Sequence, residues 1–287
     1  MDKIDIAVSR LKEASAMSLH YYGEPLLLTY SGGKDSDVVQ RLAEIAGIPY
    51  EIQHSHTTAD APETVRHVRE KFKELELKGV KCAIDYPVYK GQRVSLWSLI
   101  PQKSMPPTRL LRYCCAVLKE TAGNDRFIAT GVRWAESTAR QKNRGEFELS
   151  HKDKKKRIIL NNDNDPERRL FESCQMKGKR TVNSIIDWKD EDVWEFIESE
   201  KVKCNPLYCE FGRVGCVGCP MAGKAGRERE FLRWPAYRRN YIAAFDRLVE
   251  IRRRNGLSTQ WQDGLDVFRW WMEYDELPGQ IDLLEED

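Results

Sequence analysis

An open, doubly wound, mostly parallel α/β sheet followed by a C-terminal helical region is the fold class the sequence predicts. Three observations carry it. Short continuous apolar runs of strand length recur, amphipathic helical stretches alternate with them, and a glycine-rich turn joins the first such run to the next helix. Residues 3–19 place Ile4, Ala7, Val8, Leu11 and Ala14 on one helical stripe. Residues 25–30, PLLLTY, form an unbroken apolar run, as a strand buried on both faces requires. Gly32 and Gly33 break it; helical spacing resumes at Val38, Val39, Leu42, Ile45 and Ala46, and Gly47 closes the helix. Residues 49–53 read as a second strand. Asp60 is placed as an N-cap, with Pro62 in the first turn and Glu63 reaching back. Residues 126–131, RFIATG, read as a later strand.

The middle is less regular. Residues 141–180 are polar and charged, and an irregular excursion or hairpin is expected there. After Trp188 the spacing is helical again, and Trp188, Val193 and Trp194 read as core packing. From Arg227 onward the chain is rich in Trp, Tyr and Arg and reads as mostly helical. The composition shifts near residue 205, so the expected division is an α/β domain over 1–205 and a cysteine-bearing turn with a helical region over 206–287.

With 41% hydrophobic residues in 287, the chain can build one large core or a core with an appendage. The net charge of +2 gives no global signature of a nucleic-acid binder. Local basic runs at His151–Arg157, Lys177–Arg180 and Arg252–Arg254 read first as solvated faces and second as a phosphate track. No apolar run reaches bilayer-spanning length, and the N-terminus lacks a signal-peptide core, so a cytoplasmic protein without membrane attachment is expected. Eight cysteines in a reducing compartment argue for metal ligation, catalysis or simple burial rather than disulfides.

The stretch Ser31-Gly32-Gly33-Lys34-Asp35-Ser36 lies between the first strand and its helix. Two glycines let backbone amides approach an anion, the helix directs its positive end there, and Ser31, Ser36 and Lys34 add donors. The combination suits a pyrophosphate group. Asp35 would repel phosphate unless a cation intervened, which implies Mg²⁺. SGGKDS resembles the PP-loop of the N-type ATP pyrophosphatases, which implies ATP cut between its α and β phosphates and an adenine nucleotide alpha-hydrolase-like fold.

Four further stretches resemble the phosphoadenosine phosphosulfate (PAPS) reductase family within that group: TADAPET at 58–64, GVRWAEST at 131–138, IIDWKDEDVWEFI at 185–197 and NPLY at 205–208. With the loop they cover roughly residues 25–225. At the end of a strand, Gly131 and Arg133 fall where open α/β sheets bind ligands, and Arg133 is expected to pair with a phosphate. Glu136 is expected to orient Arg133 or hold Mg²⁺, or else to form a surface pair with Arg140 one turn on.

Cys216-Val217-Gly218-Cys219 supplies two thiols on one tight turn, suited to a single metal centre. The resemblance implies a [4Fe–4S] cluster held by Cys114, Cys204, Cys216 and Cys219, with Cys115 and Cys209 as competing ligands; a structural zinc suits the same donors. Cys82 and Cys174 read as ordinary cysteines.

Assimilatory reductases of this family have a loop degenerate relative to SGGKDS and attack with a C-terminal cysteine, whereas no cysteine follows Cys219 in this sequence. The expected activity is therefore an ATP pyrophosphatase and sulfurtransferase, with Lys34, Asp35 and Arg133 carrying the chemistry. Its expected partners are ATP, a sulfur donor of the cysteine desulfurase kind and a DNA or tRNA acceptor. The sequence allows a homodimer without specifying one. Two alternatives stand: a PAPS or adenylyl-sulfate reductase drawing its thiol from another chain, and a non-catalytic nucleotide or nucleic-acid binding module with structural zinc.

Overall fold

The computed structural model describes residues 2–120, 123, 125–150, 158–160 and 179–274. Cys174, the basic run at 151–157 and most of the expected excursion lie outside the described residues. The chain divides into two compact units, one comprising Met1–Ser55, Pro62–Asp85 and Thr121–Val214, the other His56–Ala61, Tyr86–Glu120 and Gly215–Asp287. This differs from the expected boundary at 205. The break comes after Val214, and residues 86–120 join the C-terminal helices.

The first unit opens with helix α1 (Lys3–Tyr22), which ends at Gly23. Strand β1 (Leu26–Thr29) runs into helix α2 (Lys34–Ala46), closed by Gly47 as its periodicity predicts. Strand β2 (Tyr50–Ser55), helix α3 (Pro62–Leu77) and strand β3 (Cys82–Asp85) follow. Strand β1 pairs in parallel with β2 on one side, and β2 in turn with β3.

Later chain segments build outward on the other side of β1. Strand β6 (Phe127–Ala129) pairs in parallel with β1, and β9 (Lys179–Val182) with β6. An antiparallel hairpin, β7 (Phe147–Ser150) and β8 (Ile158–Leu160), completes the edge against β9, giving the order β3-β2-β1-β6-β9-β7-β8. The expected hairpin is present. Strand β9 was not foreseen, because KRTV carries two cations and no apolar run, yet Arg180 is buried with its guanidinium over the Tyr21 ring.

Strand order reverses between β1 and β6, so the loops at their carboxyl ends flank the crevice where open α/β sheets bind ligands. A short helix α6 (Thr138–Asn143) follows β6, and helix α7 (Asp190–Ser199) follows β9. The core packs α1 and α2 residues such as Leu11, Val38 and Leu42 on Leu26, Leu28, Ile52 and Phe127, with Trp188 and Val193 also buried. Arg10 on α1 is largely buried and is balanced by Asp187 and Glu146. Trp194, expected in the core, is 41% exposed.

The second unit contains a two-stranded hairpin, β4 (Val88–Tyr89) and β5 (Gln92–Arg93), with helices α4 (Leu96–Lys103) and α5 (Tyr113–Leu118). Helices α8 (Gly223–Arg233), α9 (Pro235–Arg254) and α10 (Gly264–Trp271) complete it. Its core is aromatic. Tyr241 meets Trp97, Phe231 and Trp271 at centroid distances of 4.9, 5.7 and 4.6 Å. This packing explains why residues 86–120 belong here. No described helix is long and apolar enough to cross a membrane.

Candidate functional site

In the first unit, strand β1 ends at Thr29 and the chain turns through Ser31–Gly33 into α2. Gly32 has a φ of +75°, a conformation other residues adopt at a cost, and a Cβ there would lie 2.9 Å from Val68. The turn is fastened from several sides. Asn205 donates from its amide nitrogen to the Gly32 carbonyl and to Thr64, each at 3.0 Å. The backbone amide of Lys34 donates to the Tyr208 hydroxyl at 3.0 Å. Ser36 donates from its hydroxyl to the Gly33 carbonyl at 2.7 Å, and the Ser31 and Ser36 hydroxyls are 3.3 Å apart. Burial pushes the Tyr208 phenol up from its ordinary value, which keeps it a neutral hydrogen-bonding group.

Four charged side chains meet beside this turn. Lys34 Nζ lies 2.7 Å from Asp190 Oδ1 and 3.5 Å from Asp35 Oδ1. Arg133 donates from Nε to Asp35 at 2.7 Å and from one Nη to Asp190 at 2.7 Å, and its other Nη reaches the Trp188 carbonyl at 3.3 Å. Both cations are buried, with side chains 9% and 3% exposed, whereas the Asp190 side chain is 65% exposed. The hydrogen bond from Lys34 is the largest influence holding the Asp190 carboxyl below its usual range, with Arg133 adding to it against partial burial. Lys34 also lies over the Trp194 ring, 5.8 Å from its centroid. Gly131 makes the convergence sterically feasible, since a Cβ there would sit 2.9 Å from the Asp35 carbonyl carbon and oxygen.

The structure thus brings Ser31–Ser36, Gly131 and Arg133 together. It engages every nitrogen of the Arg133 guanidinium within the protein, so the expected bidentate phosphate contact is not preformed. Glu136 accepts from the Arg133 backbone amide at 3.1 Å and forms the expected i,i+4 pair with Arg140, while the Arg133 guanidinium is oriented by Asp35, Asp190 and the Trp188 carbonyl instead. Asp190, Trp194, Asn205 and Tyr208 were missed as site residues, although all four fall inside the segments IIDWKDEDVWEFI and NPLY.

The cysteines separate between the units. In the second, Cys114 and Cys115 on α5 and the turn residues Cys216 and Cys219 are neighbours. The hydrogen bond with Cys115 and then burial push the Cys114 thiol up, and the charges of Cys115, Cys216 and Cys219 add to this. The same hydrogen bond, with Arg112 assisting at 3.5 Å, draws Cys115 down. Lys119 is held charged chiefly by Cys216, then by Asp60 and Cys115. The CxxC turn is fixed by hydrogen bonds from the Val217 amide to the Ala59 carbonyl, from Tyr241 to the Val217 carbonyl and from the Gly218 amide to Glu230.

Cys204 belongs to the first unit, where it packs against the sheet core; burial, then Asp37, pushes its thiol up to about 12. The expected ligand Cys204 thus falls in a different unit from Cys114, Cys216 and Cys219, whereas Cys115, named as a competing ligand, falls in the same unit as those three. Cys209 is exposed in the first unit, and Cys82 bonds to the Phe72 and Val80 carbonyls as an ordinary cysteine. The thiols of Cys114, Cys115, Cys216 and Cys219 act on one another beside the cations Arg112 and Lys119, the donor chemistry a tetrathiolate centre uses, although among the described residues no three of their sulfur atoms lie within 4.8 Å of one another.

Fold and site together define a doubly wound α/β protein with a glycine-rich turn at the point where strand order reverses. The chain belongs to the phosphoadenosine phosphosulfate reductase family, whose domain matches residues 25–222. It is 28% identical over 261 residues to an uncharacterized protein of Methanocaldococcus jannaschii, covering 88% of this chain and 52% of that one. It is 29% identical over 124 residues to adenosine 5'-phosphosulfate reductase of Neisseria meningitidis, covering 43% of each. To sulfate adenylyltransferase subunit 2 of Bacteroides thetaiotaomicron it is 28% identical, covering 70% of this chain and 68% of that one. The chain therefore spans about half the length of the first of these relatives.

Among solved structures, the PAPS reductase of Candida auris in a phosphate complex aligns at 18% identity with a TM-score of 0.42, over 74% of this chain and 93% of that one. The U34-tRNA thiolase NcsA of Methanococcus maripaludis, solved with its [4Fe-4S] cluster, aligns at 15% identity with a TM-score of 0.43, over 97% and 86%.

Proposed function

We propose that the chain is an ATP pyrophosphatase that adenylates an oxygen of an acceptor and then exchanges that oxygen for sulfur. The observation that carries this reading is the fastened Ser31–Ser36 turn, with its buried Lys34, at the carboxyl end of β1. Backbone amides of the turn and the positive end of α2 would bind the β and γ phosphates of ATP, and Asp35 would take Mg²⁺. An acceptor oxygen attacks the α-phosphorus, the α–β bridging bond breaks, and pyrophosphate leaves into the turn. Lys34 stabilises the charge that develops on it, and Arg133 supports the same charge through Asp35. The outer sulfur of a persulfide on a donor protein of the cysteine desulfurase kind then displaces AMP, and a thiol reductant cleaves the resulting disulfide, leaving one sulfur on the acceptor and returning the donor's thiol.

Cys114, Cys115, Cys216 and Cys219 would hold a [4Fe–4S] cluster, which when bound would supply one-electron redox chemistry. Arg112 and Lys119 would offset its negative charge. DNA and tRNA are the acceptors we propose. Among the basic runs, Arg252 and Arg253 already donate to the carbonyls of Ser104, Ser258 and Gln262, so these two are partly committed to holding their own unit together.

The test is pyrophosphate release from ATP by anaerobically purified protein, with DNA and tRNA as acceptors, alongside iron, sulfide and zinc analysis. Release that disappears in Lys34→Ala while iron content is retained supports the reading. A second reading, a PAPS or adenylyl-sulfate reductase, is favoured by the sequence match to an adenosine 5'-phosphosulfate reductase. Sulfite formation from either substrate with a thiol donor, without pyrophosphate release from ATP, would establish it instead.

A further inference from the structure

We infer that Asp190 is the internal counter-anion of the phosphate site: it holds Lys34 and Arg133 in the nucleotide-free chain and leaves when phosphate arrives. The inference deepens the proposed function and rests on the reading of Ser31–Ser36 as the phosphate-binding turn.

Two buried cations without counter-charge would be strongly destabilising, and the fold supplies two carboxylates for them. These two differ in kind. Asp35 lies within the turn, its side chain 22% exposed and bonded to Arg133 Nε at 2.7 Å. Asp190 comes from α7, in whose first turn it stands, and its side chain is 65% exposed while one oxygen, Oδ1, bridges Lys34 and Arg133 at 2.7 Å each. A single carboxylate oxygen shared between an ammonium and a guanidinium is the arrangement a phosphate oxygen would take.

Only Asp190 can move off its partners into water without repacking the core, because most of its side chain already faces solvent. The backbone around it need not move. The Trp188 carbonyl still holds Arg133, and Lys34 keeps Trp194 beneath it. Exchange of one anion for another keeps the site close to neutral in both states. It also places the same reduction in affinity on every ligand whose phosphate uses these cations, and none on a ligand without phosphate.

The experiment is isothermal titration calorimetry on the full chain with three probes: magnesium α,β-methylene-ATP, magnesium pyrophosphate and adenosine. Asp190→Asn keeps the shape and removes the charge. The expected result is a tightening on the order of 10-fold for the two phosphate probes with adenosine unchanged, as for a competent state about one-tenth populated in the wild type. Unchanged or weaker phosphate binding in Asp190→Asn overturns the inference, as does equal tightening of adenosine. A crystal structure of the wild-type chain with pyrophosphate bound provides a second measurement that needs no variant. Separation of Asp190 from Lys34 supports the exchange, and both ion pairs intact beside bound pyrophosphate overturns it. Lys34→Ala tells the two readings apart. If the wild type binds neither phosphate probe, or Lys34→Ala binds them as well as the wild type, the phosphate-turn reading itself has failed.

Discussion

Arg133 Nε lies 2.7 Å from Asp35 Oδ1, and this bond ties the segment after β6 to the first turn of α2 across the point where strand order reverses. The two residues are 98 positions apart in sequence. Their pairing converts two separate loops into one wall of the candidate site.

Arg133→Gln should therefore be costly in two ways. It leaves Asp35 and the Trp188 carbonyl short of a charged donor, and the loss should fall below the ~3–5 kcal/mol of a fully buried pair because Asp190 can turn to water. Urea unfolding would measure it. Pyrophosphate release should fall at least about 10-fold beyond what the stability change explains, since a misplacement of about 1 Å at a reacting group can cost that much or more. A variant that unfolds more easily but turns over normally would show that Arg133 only braces the fold.

Gly131→Ala tests the approach of these loops without touching a charge. The added Cβ would meet the Asp35 carbonyl at 2.9 Å, and backbone atoms cannot swing aside as a flexible side chain does. Overpacking of this kind costs about 1–3 kcal/mol. The larger effect is expected on nucleotide affinity, because the displaced atoms belong to the Ser31–Ser36 turn proposed to bind phosphate. Fluorescence titration with a nucleotide analogue would detect a loss of at least about 10-fold, and unaltered affinity would argue that the turn has slack.

The cysteine assignment yields a paired comparison. Cys115→Ala should lower iron, or zinc, bound per chain in anaerobically purified protein, whereas Cys204→Ala should leave it at the wild-type level. Cys204→Ala should instead cost about 1 kcal/mol through lost packing against the sheet core. Metal content unaffected by Cys115→Ala but lost in Cys204→Ala would restore the ligand set that motif position suggests.

How legible all this was depends on the kind of signal. The apolar run PLLLTY, the helical stripe after it and Gly47 mark β1 and α2 by periodicity alone, because burial on both faces leaves a continuous hydrophobic trace. The SGGKDS turn was legible for the same local reason. Strand β9 was not, since Lys179 and Arg180 interrupt any apolar run and Arg180 finds its aromatic partners only after folding. Asp190 was hidden inside a helical segment whose tryptophans drew the eye to packing. The choice between Cys115 and Cys204 turns on which unit each joins, a long-range fact that spacing does not encode. The same holds for the pairing of 86–120 with the C-terminal helices, decided by contacts such as Trp97 with Tyr241.

A last prediction concerns the buried triad of Tyr30, Asp37 and His67 beside the Ser31–Ser36 turn. Asp37, fully buried in the first turn of α2, accepts from the Tyr30 hydroxyl at 2.5 Å, and His67 Nε2 lies 3.2 Å from its carboxylate and 3.1 Å from Tyr30 Oη. Burial, reinforced by Asp37, pushes the Tyr30 phenol well up from its usual value, so Tyr30 remains a donor at any ordinary pH. Tyr30→Phe removes one charge-assisted bond and should cost about 1.5–3 kcal/mol. Asp37→Ala leaves the buried Tyr30 hydroxyl without its acceptor and should cost about 1–3 kcal/mol. Because the three groups share one carboxylate, the double variant should be less destabilised than the sum of the singles, with a coupling between about 0.5 and 3 kcal/mol by urea unfolding. Simple additivity would mean that Tyr30 and Asp37 act on stability independently, and that the hydrogen bond between them contributes nothing to holding α2 under the turn.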